Sequence, residues 1–166
     1  MNDTTAFTSE QLNFILQNEI EEPTWPENLN EESLRDIVLK SLQMALEQFE
    51  NDFETAEITL RVVDSAEAQQ LNHQYRQKDY ATNVLTFEYG TDATATLRAD
   101  IVICAPVVQR EATEQDKCLE AHFKHLLVHG TLHALGFDHQ NDDEAADMES
   151  LEIEILAQFQ IKNPYL

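Results

Sequence analysis

The chain has 166 residues, 42% hydrophobic and 25% charged, with three glycines and four prolines. That composition excludes a disordered protein or two domains on a flexible linker and points to one globular domain over residues 1–166. Its 10 basic residues face 32 acidic ones, a formal net charge of −22 that repels a polyanion at long range. No apolar run of about 18 residues is present, and the N-terminal MNDTTAFTSEQLNF lacks the basic and apolar regions of a secretory signal, so a cytoplasmic protein is expected.

In chain order, residues 11–20 (QLNFILQNEI) are apolar but short, and a strand is favoured over a helix. A Pro-punctuated connection, EEPTWPENLN, follows. Asn30 can cap a helix in which Leu34, Ile37, Val38, Leu42, Ala45, Leu46 and Phe49 share one face. Ile58, Leu60 and Val62 alternate with Glu57, Thr59 and Arg61, the pattern of a half-buried strand. Asp64 and Glu67 have the spacing of a capping box that opens a helix through SAEAQQLNHQYRQ.

Two more strands are expected at 83–89 and 99–105, joined by the polar loop GTDATATLR. A helical stretch begins at Pro106. CLEAHFKHLLVHGTLHAL then forms a long helix, with Leu119, Phe123, Leu126, Leu127 and Leu132 as core candidates. A last helix starts near Asp142, where Asp142, Asp143 and Glu144 complement its dipole, and runs to Phe159. Cys104 and Cys118 make no disulfide framework and are expected as buried, reduced thiols. The fold class is α+β: one small mixed sheet of about four strands packed with about five helices.

Three of the six histidines fall within VHGTLHALGFDH. His129 and His133, four apart, lie one above the other on a helix face, the spacing with which two imidazoles grip one metal ion. Gly136 sits where a left-handed residue ends a helix without a Cβ penalty, so the chain can fold back and bring His139 as a third ligand. Three imidazoles leave one tetrahedral position open, the arrangement of a catalytic zinc site. His125, one turn before His129, is either a support for a ligand or ordinary amphipathic packing, and packing is favoured; His73 is expected at the surface.

The frame H-x-x-x-H-x-x-G-x-x-H is that of the metzincin peptidases, but one residue breaks the analogy. Those enzymes carry Glu directly after the first histidine as general base, and here the position is Gly130. Phosphodiester cleavage fits better, because its transition state gains from a nearby cation. Arg76 and Lys78 are the candidates. They lie in residues 61–124, where seven Lys/Arg meet ten Asp/Glu and the acidity of the flanks is diluted. An arginine at the end of a helix is more often a surface residue that complements the dipole, and on its own sequence context that reading of Arg76 is favoured over a functional one.

The segments LNHQYRQKDYATNVLTF, ADIVICAPVV and HGTLHALGFDH…DDEAADMESLE together resemble the YbeY-type rRNA maturation factors, metal-dependent bacterial endoribonucleases. The likeness runs from about residue 57 to Tyr165, and the helix at 30–50 also fits; residues 1–25 are not distinctive. The resemblance implies a mostly parallel sheet and one zinc ion on the counterparts of His129, His133 and His139. It also implies a catalytic role for Arg76, in Y-R-x-x-D. It further implies action on single-stranded RNA, maturation of the small-subunit (16S) rRNA 3′ end and ribosome quality control. The partners implied are rRNA and the small ribosomal subunit, ribosomal proteins and an assembly GTPase, with no DNA and no membrane. Ala134, Phe137, LTFEYG and Ala99 depart from the usual pattern without touching the metal frame.

The expected mechanism has zinc activating water or polarising a phosphate oxygen while Arg76 stabilises the phosphoryl charge. Asp138 either orients a ligand imidazole or makes a helix-entry hydrogen bond. Two rivals are a zinc hydrolase of another substrate class and an assembly factor whose zinc is structural. A net charge of −22 further implies weak, salt-sensitive RNA binding that depends on partners.

Overall fold

The computed structural model describes residues 6–20, 26, 28–48, 51–78, 82–137 and 141–166. After a single 3-10 turn at Ser9–Gln11 the elements run β1 (Leu12–Asn18), α1 (Glu31–Leu46), β2 (Thr55–Val63), α2 (Ser65–Arg76), β3 (Val84–Thr91), β4 (Thr96–Cys104), α3 (Ala105–Glu114), α4 (Leu119–Ala134) and α5 (Asp142–Ala157). Phe49, Asp79, Asp138, His139 and most of the Pro-punctuated connection lie outside the described residues. Among the described residues, no helix is long and apolar enough to cross a membrane.

The strands form one sheet in the order β1-β2-β4-β3. β1 and β4 flank β2 in parallel, with Phe14 opposite Ile58 and Leu60 opposite Ile101, while β3 closes the far edge antiparallel to β4. The architecture is thus the α+β class with a small, mostly parallel sheet. Parallel neighbours need a crossover, and α1 supplies one between β1 and β2. It starts where Asn30 Oδ1 accepts the Ser33 N–H at 2.9 Å, and it buries Leu34, Ile37, Val38, Leu42 and Ala45.

Alternation along the strands divides the interior in two. Ile58, Leu60, Val62, Ile101 and Ile103 join α1, α4 and α5 in the large core, and Val63, Leu85, Val102 and Cys104 join Ala68 of α2 and Val107 of α3 in a smaller one. Successive residues face opposite sides of a pleated strand, so the two cores lie on opposite faces. Leu34, Ile37, Ile101, Phe123, Leu127 and Leu132 are sealed from solvent, and the large core supplies most of the burial that holds the fold together.

Three local expectations change. The segment 90–98 is mostly strand, because β3 reaches Thr91 and β4 begins at Thr96. The turn shrinks to residues 92–95, where Asp92 accepts the Thr94 and Thr96 N–H groups and Arg98 Nε, and Ala95 takes φ +57°. The capping box at α2 is half made: Asp64 accepts the Glu67 N–H at 2.9 Å, but the Glu67 carboxylate pairs with Arg61. Cys104 is buried as expected, whereas Cys118 is exposed, at the N-cap of α4 and outside its packed face.

The placement of α4 turns on one glycine. A Cβ at Gly130 would lie 2.8 Å from Cγ2 of Ile101, with Thr86 Oγ1 and Val84 Cγ2 at 3.4 and 3.5 Å, so the helix backbone meets β3 and β4 with no room for a side chain. Cγ2 of a β-branched, fully buried isoleucine cannot swing aside. Gly130→Ala is therefore expected to lose about 1–2 kcal/mol, since overpacking costs typically 1–3 kcal/mol and the helix-propensity gain returns about 1 kcal/mol at most. Urea unfolding checks this; a variant as stable as wild type would mean that α4 is not pinned here.

Candidate metal centre and cleft

With Gly130 against the sheet, the residues on either side along the helix turn elsewhere. His129 and His133, one turn apart, reach the cleft that opens between α4 and β3. It measures about 390 Å³ and is lined by Arg76, Thr82, Asn83, Val84, Leu85, Thr86, Glu88, His129 and His133. The two histidines are half-buried, and their rings stand edge to face with Nε2 of one 3.1 Å from Nε2 of the other. Two nitrogens bound to one zinc ion at tetrahedral angles lie about 3.3 Å apart. The donor set fits such an ion: two borderline-soft imidazoles turned to one point.

The other nitrogen of His129 is also engaged. Its Nδ1 lies 3.4 Å from both carboxylate oxygens of Glu152, a residue of α5 whose side chain is 1% exposed. His125 Nε2 approaches the same carboxylate at 2.7 Å. Burial pushes the Glu152 carboxyl up, but the hydrogen bonds from His125 and His129 outweigh it and hold the group down at about 2, an ionised carboxylate in the core. A carboxylate on the remote nitrogen of a metal-ligating imidazole fixes the ring tautomer and raises its basicity.

This corrects the reading of His125, for which packing was favoured: it is buried, but it is tied to the carboxylate behind His129. His122, two residues beyond Glu120 on the same helix, is buried against Glu111 of α3, with Nε2 at 3.0 Å from Oε1. The same Glu111 accepts from Asn83 Nδ2 at 3.1 Å, which fixes an amide in the cleft wall. Glu152 was not singled out from the sequence. It sits 23 residues from His129, and only an acidic residue on the apolar face of α5, beside Leu151 and Ile155, hinted at a buried partner.

Arg76 ends α2, where Gln77 takes the left-handed conformation at φ +58°, and it is exposed in the same cleft as the two histidines. The structure thus brings Arg76, His129 and His133 together. His139 lies outside the described residues, among which no further His, Cys, Asp or Glu completes a metal-binding trio. The described chain leaves the helix through Gly136, at φ +99°. Its N–H donates to the His133 carbonyl at 2.9 Å and the Phe137 N–H to the Leu132 carbonyl at 3.1 Å, the double bond pattern of a Schellman helix end. His73 is at the surface, as expected, and Asp142 and Asp143 occupy the first turn of α5 behind the Asn141 N-cap.

Residues 19–160 match the family model described as Endoribonuclease YbeY. An Endoribonuclease YbeY of Delftia acidovorans is 60% identical over 111 residues, 66% of this chain and 72% of the relative. One from a Polaromonas species is also 60% identical over 111 residues, 66% and 71% of the two chains. The solution structure of TM1509 from Thermotoga maritima is similar in fold, with a TM-score of 0.54 at 20% identity over 90% of this chain and 91% of that one.

The helix stop gives a test of this local geometry. A Cβ at Gly136 meets nothing within 4 Å, so the effect of Gly136→Ala comes from backbone strain alone. The substitution is expected to lower stability by about 1–2 kcal/mol. Thermal and urea unfolding measure it, and an unchanged midpoint would show that the turn tolerates a side chain.

Proposed function

The chain belongs to the endoribonuclease YbeY family, and on that premise we propose that it cuts single-stranded RNA at the cleft of Arg76, His129 and His133. The observation that carries the reading is the convergence of two imidazole Nε2 atoms, 3.1 Å apart, in the cleft that also holds a guanidinium. The proposed role is maturation of the small-subunit rRNA 3′ end in the cytoplasm, with ribosomal proteins and an assembly GTPase as partners. A strongly acidic chain suits that division of labour, because binding partners rather than long-range attraction would bring it to RNA.

His129, His133 and His139 would hold one zinc ion. Bound there, the ion supplies Lewis acidity, polarising a phosphoryl oxygen and acidifying water. The remaining work falls to side chains of the cleft. Arg76 presents a planar fork of donors to the non-bridging oxygens and offsets the charge that builds on phosphorus. Glu152 holds the His129 ring so that Nε2 keeps its lone pair directed into the cleft. Asn83, its amide fixed by Glu111, and Thr86, whose Oγ1 donates to the Gly130 carbonyl at 3.4 Å, shape the wall opposite the histidines.

The general base that zincin peptidases carry directly after the first histidine is absent at position 130. Position 130 faces Ile101 rather than the cleft, so the missing carboxylate has neither a side chain nor a site.

The test compares wild type, Arg76→Ala and His133→Ala, purified identically, on single-stranded RNA with zinc content and melting temperature followed in parallel. His133→Ala is expected to lose zinc and activity together. Arg76→Ala is expected to keep zinc and fold while cutting about 10²–10³-fold more slowly, the usual loss for one charge-stabilising donor. An Arg76→Ala protein that keeps its zinc and cuts like wild type would overturn the assignment, and equal cutting by all three would remove the nuclease reading itself. Product ends add a second result: hydrolysis by water leaves a linear phosphate, whereas a 2′,3′-cyclic phosphate would show the RNA 2′-OH to be the nucleophile.

A further inference from the structure

Glu152 is a carboxyl group in a place that water hardly reaches, and a buried carboxyl group needs hydrogen-bond partners on its oxygens. Two come from α4, through His125 and His129. The third comes from 13 residues further on, where Tyr165 Oη donates to Oε1 at 3.0 Å and reaches Oε2 at 3.2 Å. The Tyr165 ring stands edge-on to His125, centroids 5.3 Å apart and planes at 85°. The segment that carries it is itself tied down: Lys117 Nζ donates to the Pro164 carbonyl at 3.0 Å, and the Tyr165 N–H to the Asn163 side chain at 2.8 Å.

These contacts bear on where the ring hydrogens sit. His125 Nδ1 is buried with no hydrogen-bond partner, so a hydrogen there would be a stranded donor; the ring's hydrogen belongs on Nε2, facing Glu152. The carboxylate then takes hydrogen bonds from His125 on Oε1 and from the Tyr165 hydroxyl, 3.0 and 3.2 Å from its two oxygens, which hold both oxygens 3.4 Å from His129 Nδ1. A hydrogen on His129 Nδ1 leaves the lone pair on Nε2, the atom that faces His133. Without the tyrosine hydroxyl the carboxylate loses the donor that fixes its rotation, and the longer 3.4 Å bond to His129 is the one to yield.

We propose that Tyr165 is a positioning residue for the candidate centre: through Glu152, its hydroxyl sets the tautomer of His129 and thereby the lone pair presented to the cleft. The proposal rests on the reading of His129 as a metal ligand, but the tautomer is a property of the metal-free chain and can be observed separately.

The experiment uses the full chain as wild type, Tyr165→Phe, Glu152→Gln and the double variant. Long-range ¹H–¹⁵N spectra of the metal-free proteins at alkaline pH report the His129 tautomer, competition with a chromophoric chelator reports zinc affinity, and circular dichroism confirms folding. Tyr165→Phe keeps the ring against His125 and removes only the hydroxyl. Wild type is expected to show His129 as the Nδ1–H tautomer. Tyr165→Phe should show a mixture, with zinc binding weakened about 3–10-fold, and Glu152→Gln should weaken it about 10–100-fold, the range for loss of a ligand's supporting carboxylate. In the double variant the tyrosine change should add nothing, because its route through Glu152 is gone. A wild-type tautomer and zinc affinity in folded Tyr165→Phe would overturn the proposal, as would independent, additive losses in the double variant. Wild type that shows the tautomer response but binds no zinc would instead sink the metal reading and leave the control of the His129 ring standing.

Discussion

An ionised carboxylate inside a protein has to be surrounded by donors, and Glu152 imposes that requirement on the whole upper part of this fold. Its donors come from two turns of α4 and from the segment after α5, while the residue itself rides on α5. Breaking such a group's partnerships one at a time leaves a buried charge uncompensated, which costs several kcal/mol. α4, α5 and the 163–166 segment therefore share one carboxylate as a common partner. The candidate metal ligands inherit their orientation from it, and the cleft has its walls where the sheet meets that assembly.

Much of this was legible in the sequence because the signals are local. The four-residue step from His129 to His133 predicts their shared helix face, and Gly136 predicts the stop, which the structure shows as a Schellman end. Alternation in residues 57–62 places β2, and Asn30 caps α1 as its side chain suggests. The misreadings are of another kind. The polar segment 90–98 has loop composition, yet pairing with β2 and β3 draws most of it into strands. His125 has the spacing of a packing residue, and only the tertiary approach of α5 reveals its bond to Glu152. Arg76 at a helix end has two readings in the sequence, and only the fold brings it into one cleft with the histidines, which leaves its role to experiment. His139 is the part of the spacing on which the described residues are silent.

Charge distribution bears on how such a cleft meets a polyanion. The flanks carry most of the acidity, and α2 and β3, which form part of the cleft, belong to the less acidic middle of the chain. Even there Glu88 lines the same cleft as Arg76, so the local field is mixed. Recognition at the proposed cleft would rely on short-range geometry: a planar guanidinium, a fixed amide at Asn83 and paired imidazoles, all effective only at contact.

The close approach at Gly130 also says something to anyone hoping to redesign the protein. Given the shared histidine frame, restoring Glu after the first histidine is the obvious way to seek a peptidase. On this backbone the new carboxylate would be aimed at Ile101, Thr86 and Val84, in the packed seam between helix and sheet. It would meet steric overlap and desolvation before it met any substrate. A catalytic motif is portable only with the rotation of the helix that bears it, and here that rotation belongs to the glycine.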